Sequence, residues 1–505
     1  MSYRRIFALC VALCIISGCG DRRSGPLKVV FPTSAGSLFA EGGAADSAAL
    51  YIREATDSGL VGLDKNGAVT PAIADRWIVT DDGKSYIFRL RDGDWPDGSA
   101  ITAKTVRAGL QRTLRGLSGS ALGLDAAQIS DVRAMAERVV EIRLSSPMPD
   151  FLQLLAQPEL AIRRKGAAFG PMSMSRKGSI ATLELRSPDE MGLPIDDEWG
   201  EHNRPVEVQS LQAEEAISRF KSGTADIVLN GRLGALPLID MGPLSGSVLQ
   251  LDPALGLFGL QVKHDKGFLA EAEGREALSM ALDRDSLGNA VNIGGWTPTS
   301  RIVAAGLEGD LGTIGERWTD VPIAQRREEA ALRVAAWKAS IRSELSGKTK
   351  RAGPAASEPL LFRLTVWLPK GPGFDRLLVE LTRQYAEIGV KLERADNYKS
   401  ADLALVDEVA RYAGARWFLN QFNCKLKRGV CSPEADKRVS EAIVATDPVE
   451  RAALLTEAEA ELTSSNAYIP FGAPIRWSLV RGSQTGFATN RWAFHPLPEL
   501  AALPK

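Results

Sequence analysis

The sequence predicts an α/β protein divided into two or three domains, and three observations carry that prediction. Segments with helix and strand patterning alternate along most of the chain. Between residues 361 and 406 they run strand, helix, strand, strand, an order that calls for a βαβ crossover and a parallel sheet. The chain has 505 residues, well beyond the roughly 250–300 at which a single hydrophobic core stops growing. Hydrophobic content of 45% and charged content of 24% are ordinary for a globular protein. No fixed-period repeat is visible, which argues against a solenoid.

Taken in order, LKVVF (27–31) is a short apolar strand behind a polar tether. Residues 45–57 are patterned as a helix, and 60–100 alternate strand and turn signals, with Asp82-Gly83 and Asp97-Gly98 as turns. Thr102 is placed to cap a helix in which Val106, Leu110, Leu114 and Leu117 share one face. VVEIRL (139–144) reads as a strand, and 149–157 as a short helix with Pro149 near its start. Residues 211–231 give a helix, a stop at Gly223 and the buried strand DIVL. A strand at 255–262 precedes one helix over 273–291 and another over 322–345. SGKTKRAGPAASEP (346–359) is the clearest loop. Strand 361–368, helix 374–389, strands 390–394 and 402–406, and helix 447–465 followed by YIPFG complete the chain.

Charge excludes some function classes. The net charge of −1 gives no electrostatic basis for nucleic-acid binding. Three histidines in the chain argue against a histidine-based metal site or nucleophile, and His202, His264 and His495 form no local cluster. Arg4 and Arg5 precede an apolar run over 6–16, the pattern of a signal peptide rather than of a membrane span. The run ends in Ile16-Ser17-Gly18-Cys19, which resembles a bacterial lipobox. The expectation is a signal peptide over 1–18, lipidation (palmitate included) of Cys19 and a tether over 19–26; an ordinary secretory signal is the alternative. No later run of 18 apolar residues occurs. Cys424 and Cys431, around a Lys-Arg-Gly turn, fit a disulfide in an exported chain; a metal site is the other reading, but no Cys or His partner is near.

Residues 59–106 carry Gly59-Leu60-Val61, Pro71, Ala74, Trp77, Asp82-Gly83, Tyr86, Phe88, Leu90-Arg91, Gly93, Asp97-Gly98, Thr102-Ala103 and Val106. This phrase resembles the most diagnostic segment of the bacterial family 5 extracellular solute-binding proteins, the peptide- and nickel-type binding proteins of ABC importers. GREALSMALDRDSL (274–287) is similar to another family helix, and the likeness extends over nearly the whole mature chain. The resemblance implies a bilobal periplasmic-binding-protein fold (type II, cluster C), α/β with mixed sheets, an extra subdomain and a hinge. Lobe I would combine 27–40, 160–250 and 468–505. The extra subdomain would be 41–159, lobe II 251–467, and the crossing strands would lie near 250 and 467. The 81–106 stretch is expected to be surface scaffold rather than chemistry.

In peptide-binding members, a carboxylate in an Asp-Tyr pair captures the ligand's α-amino group, nine residues after the aspartate opening the preceding strand. Here that strand opens at Asp402, and the count reaches Arg411, followed by Tyr412. Glu408 stands where an aromatic residue would be. An arginine facing the cleft would favour a carboxylate, phosphate or sulfate over an ammonium. The other reading pairs Arg411 with Glu408 or another acid. Asp46, Ser47, Trp417 and Trp296 are further contact candidates, although each tryptophan also fits a core position.

The implied role is that of a lipid-anchored, monomeric binding protein of the cell envelope. It would capture a peptide or peptide-like solute, anionic ones included, for an ABC permease and ATPase. A permease-independent envelope lipoprotein, a sensor or chaperone, is the alternative. No cofactor and no metal are expected, and no catalytic motif supports an enzyme: there is no Gly-x-Ser-x-Gly, His-Glu-x-x-His or phosphate-binding glycine loop.

Overall fold

The computed structural model describes residues 25–40, 47–164, 166–195, 197–240, 248–292, 294–348, 362–482 and 484–503. Cys19, Asp46 and most of the 346–359 loop lie outside them.

Among the described residues, a seven-stranded sheet forms lobe I. Its centre is the strand Leu27–Pro32, parallel to Val206–Leu211 on one side and Ile227–Arg232 on the other. The strand is apolar on both faces because both are covered. Leu27, Val29 and Phe31 pack against helices Ser47–Thr56 and Leu497–Ala501. Val30 packs on the opposite face against Ile217 and Phe220 of helix Ala213–Lys221.

Lobe II is a five-stranded sheet in the order Val390–Arg394, Phe362–Trp367, Leu403–Val409, Gly256–Val262, Tyr468–Gly472. The first three strands are parallel, with helix Pro372–Ala386 as the crossover that parallel pairing demands. A four-stranded antiparallel sheet forms the extra subdomain: Ala74–Val79, Ser85–Leu90, Val139–Leu144 and Ile129–Ala136. Helix Ala103–Gly116 packs on it, started by a capping box between Thr102 and Thr105. Gly83 and Gly98 hold left-handed φ of 64° and 74° in the two Asp-Gly turns. Trp95, 2% exposed, anchors the second turn by donating its Nε1–H to Thr105 Oγ1 at 3.1 Å.

The chain crosses from lobe I to lobe II between Leu251 and Gly256 and returns between Gly472 and Arg476. Three expectations need correction. Strand Tyr468–Gly472 pairs with Gly256–Val262 and belongs to lobe II; strand patterning does not say which sheet a strand will join. Helix Ser47–Thr56 sits in the lobe I core rather than the extra subdomain, because Leu50, Tyr51 and Ala55 pack against the lobe I sheet. The helix expected over 273–291 is two, Ala272–Met280 and Arg284–Val291. Asp283 restarts it by accepting the Ser286 amide at 3.2 Å, a capping bond that outweighs the continuous apolar face.

Candidate functional site

Parallel strands align their carboxyl ends, and the loops there form a natural crevice. In lobe I those ends deliver Pro32, Thr33, Gln212, Asn230 and Arg232, and in lobe II the loop after Phe362–Trp367 delivers Lys370 and Gly371 and the start of helix Pro372–Ala386 delivers Phe374. Between them lies a cleft of about 460 Å³. Among the described residues that line it, the charged side chains are Arg232, Lys370 and Glu214. Ser47 accepts hydrogen bonds from Asn230 Nδ2 (2.8 Å) and Arg232 Nη2 (2.9 Å), which ties the first residue of helix Ser47–Thr56 to Asn230 and Arg232.

The lobes meet backbone to backbone beside this cleft. A side chain on Gly373 would place Cβ 1.9 Å from the Leu233 carbonyl, and one on Gly371 would crowd Gly234 at 2.9 Å. Leu233 itself is buried in the lobe II core. An ion pair joins the two strands nearby. Arg476 Nη1 of lobe I donates to Asp407 Oδ1 of lobe II at 2.6 Å, and Nη2 to the Asp407 carbonyl at 3.0 Å. Arg232 stands 3.9 Å from the other Asp407 oxygen. Burial pulls the Arg476 guanidinium down while Asp407 pulls it back up. The Tyr468 phenol is pushed up, by burial first and then by Asp407.

Arg411 is held between bodies. Its Nη2 donates to Glu159 Oε1 of the extra subdomain at 2.8 Å, and its carbonyl accepts from Gln157 Nε2 at 2.8 Å. The acid that pairs with it is therefore Glu159 and not Glu408, which is exposed. The Arg411 side chain keeps 29% exposure.

Residues 68–177 match the bacterial extracellular solute-binding proteins, family 5 middle. The probable deoxycholate-binding periplasmic protein YgiS of Escherichia coli (strain K12) is 25% identical over 456 residues, covering 82% of this chain and 81% of that protein. The periplasmic oligopeptide-binding protein OppA of Salmonella typhimurium is 23% identical, covering 85% and 84%. The chain is thus similar to the family 5 solute-binding proteins, through the family segment at 68–177 and through relatives aligned over more than four-fifths of its length. The crystal structure of Haemophilus influenzae OppA with RPPGFSPFR superposes with a TM-score of 0.75 at 18% identity, covering 95% of this chain and 99% of that one. The fold is the bilobal periplasmic-binding-protein fold. Members of family 5 are transport binding proteins rather than enzymes.

Two of the expected contact residues are not presented to a ligand. Tyr412 is 2% exposed and gives its hydroxyl proton to Asp125 Oδ1 at 2.8 Å. Trp417 is 3% exposed and packs edge-on against Phe418, with ring centroids 4.9 Å apart. Both fill the core shared by lobe II and the extra subdomain, where their apolar area is worth more than at a wet cleft. Trp296 donates to the Arg284 carbonyl at 2.9 Å and packs on Phe258. Cys424 and Cys431 are bonded to each other, with Cα atoms 5.3 Å apart. Among the described residues no group of three or more His, Cys, Asp or Glu is arranged to hold a metal ion. None of their helices is long and apolar enough to cross a membrane.

Sequence reasoning missed Arg232, Asn230, Lys370, Asp407 and Arg476. Two signals pointed to the first three. A polar NGR run closes the buried strand DIVL, and a PKGPG loop sits between strand and helix. Asp407 and Arg476 lie inside strands, and nothing local marks them.

Proposed function

We propose that this chain is the solute-binding component of an ABC importer, taking a peptide-like or other organic anion by its carboxylate in the interlobe cleft. The observation that carries the reading is the balance of charge there, Arg232 and Lys370 against Glu214. The names of relatives agree in kind: oligopeptides for OppA and deoxycholate, itself a carboxylate, for YgiS. Arg411, tied to Glu159, would position the extra subdomain against lobe II rather than touch the ligand first. Cys19 would carry lipid and hold a monomer at a membrane surface, beside the permease and ATPase that receive the solute.

Calorimetric titration of the mature chain tests this. The probes are a tripeptide, its N-acetyl form, its C-terminal amide and deoxycholate. Carboxylate-bearing probes should bind and the amide should lose at least about tenfold, the equivalent of one charge-assisted hydrogen bond. Arg232→Ala should erase that difference. Equal binding of acid and amide to the wild type would remove the basis of the proposal. Uptake in cells lacking the chain separates an importer role from a permease-independent one, and mass spectrometry of the mature N-terminus reads the lipid on Cys19.

A further inference from the structure

A second cavity, of about 180 Å³, lies away from the interlobe cleft, where lobe I meets the extra subdomain. Helix Ser47–Thr56 supplies Glu54, and Glu499 comes from the helix near the C-terminus. Arg91, just past strand Ser85–Leu90, lines it from the subdomain. Val61, Leu63 and Met191 give it apolar wall.

Two polar atoms in this cavity are buried without a partner among the described residues: Glu54 Oε2 and Arg91 Nε. Neither satisfies the other. The charge acting on Glu54 is that of Glu499, and the one acting on Arg91 is Asp75. Asp57, which also borders the cavity, is already paired with Arg163. Unpartnered buried polar atoms of opposite kind are costly, and a ligand carrying both a donor and an acceptor end relieves the cost.

We propose that this cavity is a second solute site, taking a small zwitterion, a free amino acid with an apolar side chain, its ammonium toward Glu54 and Glu499 and its carboxylate toward Arg91. The apolar wall receives the side chain. Gln157 lines the cavity and donates to the Arg411 carbonyl, so an occupant touches the residue that links this junction to lobe II. The inference stands whether or not the reading of the interlobe cleft holds.

Binding should also respond to pH. Burial, and then the charge of Glu499, pushes the Glu54 carboxyl up to about 8. The other charged groups around it are Arg53 on its own helix, Asp57 just past that helix and Arg91 across the cavity, with Asp64 and Lys65 acting on Glu499. An ammonium needs the ionised carboxylate, so affinity should rise roughly tenfold per pH unit up to about 8 and then level.

The test is titration of the mature chain with glycine, L-alanine, L-leucine and L-methionine, with N-acetyl-L-leucine and L-leucinamide as blocked probes. At least one free amino acid should bind one to one, and each blocked probe should lose tenfold or more. Glu54→Gln, which is isosteric, should abolish the pH slope, Arg91→Ala should erase discrimination against leucinamide, and Arg232→Ala should leave both intact. Absence of binding by every free amino acid at 10 mM, on the order of a very weak site, overturns the proposal. So does wild-type binding that is flat between pH 6 and 8, a measurement that needs no variant.

Discussion

Replacing Asp125 with alanine should loosen the joint between the extra subdomain and lobe II. Asp125 is fully buried on helix Ala121–Ala126, and its partners come from helix Ala415–Asn420 and the residues just before it. Its Oδ1 accepts from the Tyr412 hydroxyl at 2.8 Å and from Asn420 Nδ2 at 2.7 Å. Arg416, 6% exposed, donates to the Asp125 carbonyl at 3.1 Å and to Gln128 Oε1. The truncation removes a doubly bonded carboxylate and leaves a buried guanidinium without its counter-charge, a loss of about 3–5 kcal/mol. Asp125→Asn keeps an acceptor at Oδ1, so its cost should be nearer 1–2 kcal/mol. The assay is urea unfolding followed by tryptophan fluorescence, since Trp417 packs in the same core. The pH dependence has a definite sign. Burial pushes the Asp125 carboxyl up to about 6, against the pull of Arg416, Asn420 and Tyr412. Its folded value lies above its unfolded one, so ionisation opposes folding as pH rises from about 4 to 6, and the wild-type advantage over Asp125→Asn should narrow across that window. An alanine variant within 1 kcal/mol of wild type, on the order of one ordinary hydrogen bond, or asparagine as damaging as alanine, would refute the reasoning.

Three further outcomes are expected. Replacing Cys424 and Cys431 with serine opens a loop of sequence separation 7 and should lower stability by about 2–3 kcal/mol, read as a drop in urea midpoint matched by adding reductant to wild type. Gly373→Ala sets a methyl against the Leu233 carbonyl at the contact between lobes; it should enlarge the radius of gyration in solution scattering and weaken solute binding, and an unchanged scattering curve counts against that contact. Glu54, with its folded value raised to about 8, should make wild-type stability fall as pH rises from about 5 to 8, and Glu54→Gln should flatten that part of the curve in thermal melts taken at each pH.

Much of the fold was legible because local signals agreed with one another. Strands Val139–Leu144 and Val390–Arg394 match their sequence patterns residue for residue, since apolar residues alternate with charged ones there and polar or glycine turn residues flank them. Thr102 caps as its position suggested, and the strand expected over 402–406 is present as Leu403–Val409. The candidate site was less legible. None of the residues 408–417 lines the cleft, and what they do depends on neighbours far away in the chain. Arg411 meets Glu159, 252 residues earlier, and Tyr412 meets Asp125, 287 residues earlier.

The sequence by itself determined the alternation of helices and strands, the parallel arrangement of the 361–406 region and the resemblance to the family 5 proteins. These follow from short-range physics: side-chain period, caps, turns and composition. Only the tertiary structure decided which sheet strand Tyr468–Gly472 joins, that Tyr412 and Trp417 are core, and that Arg232, Lys370 and Glu214 face one cleft while Glu54 and Arg91 line another. The reason is that a charged or aromatic side chain takes its role from burial and from the groups brought against it, and both are fixed by contacts between segments that no local pattern connects.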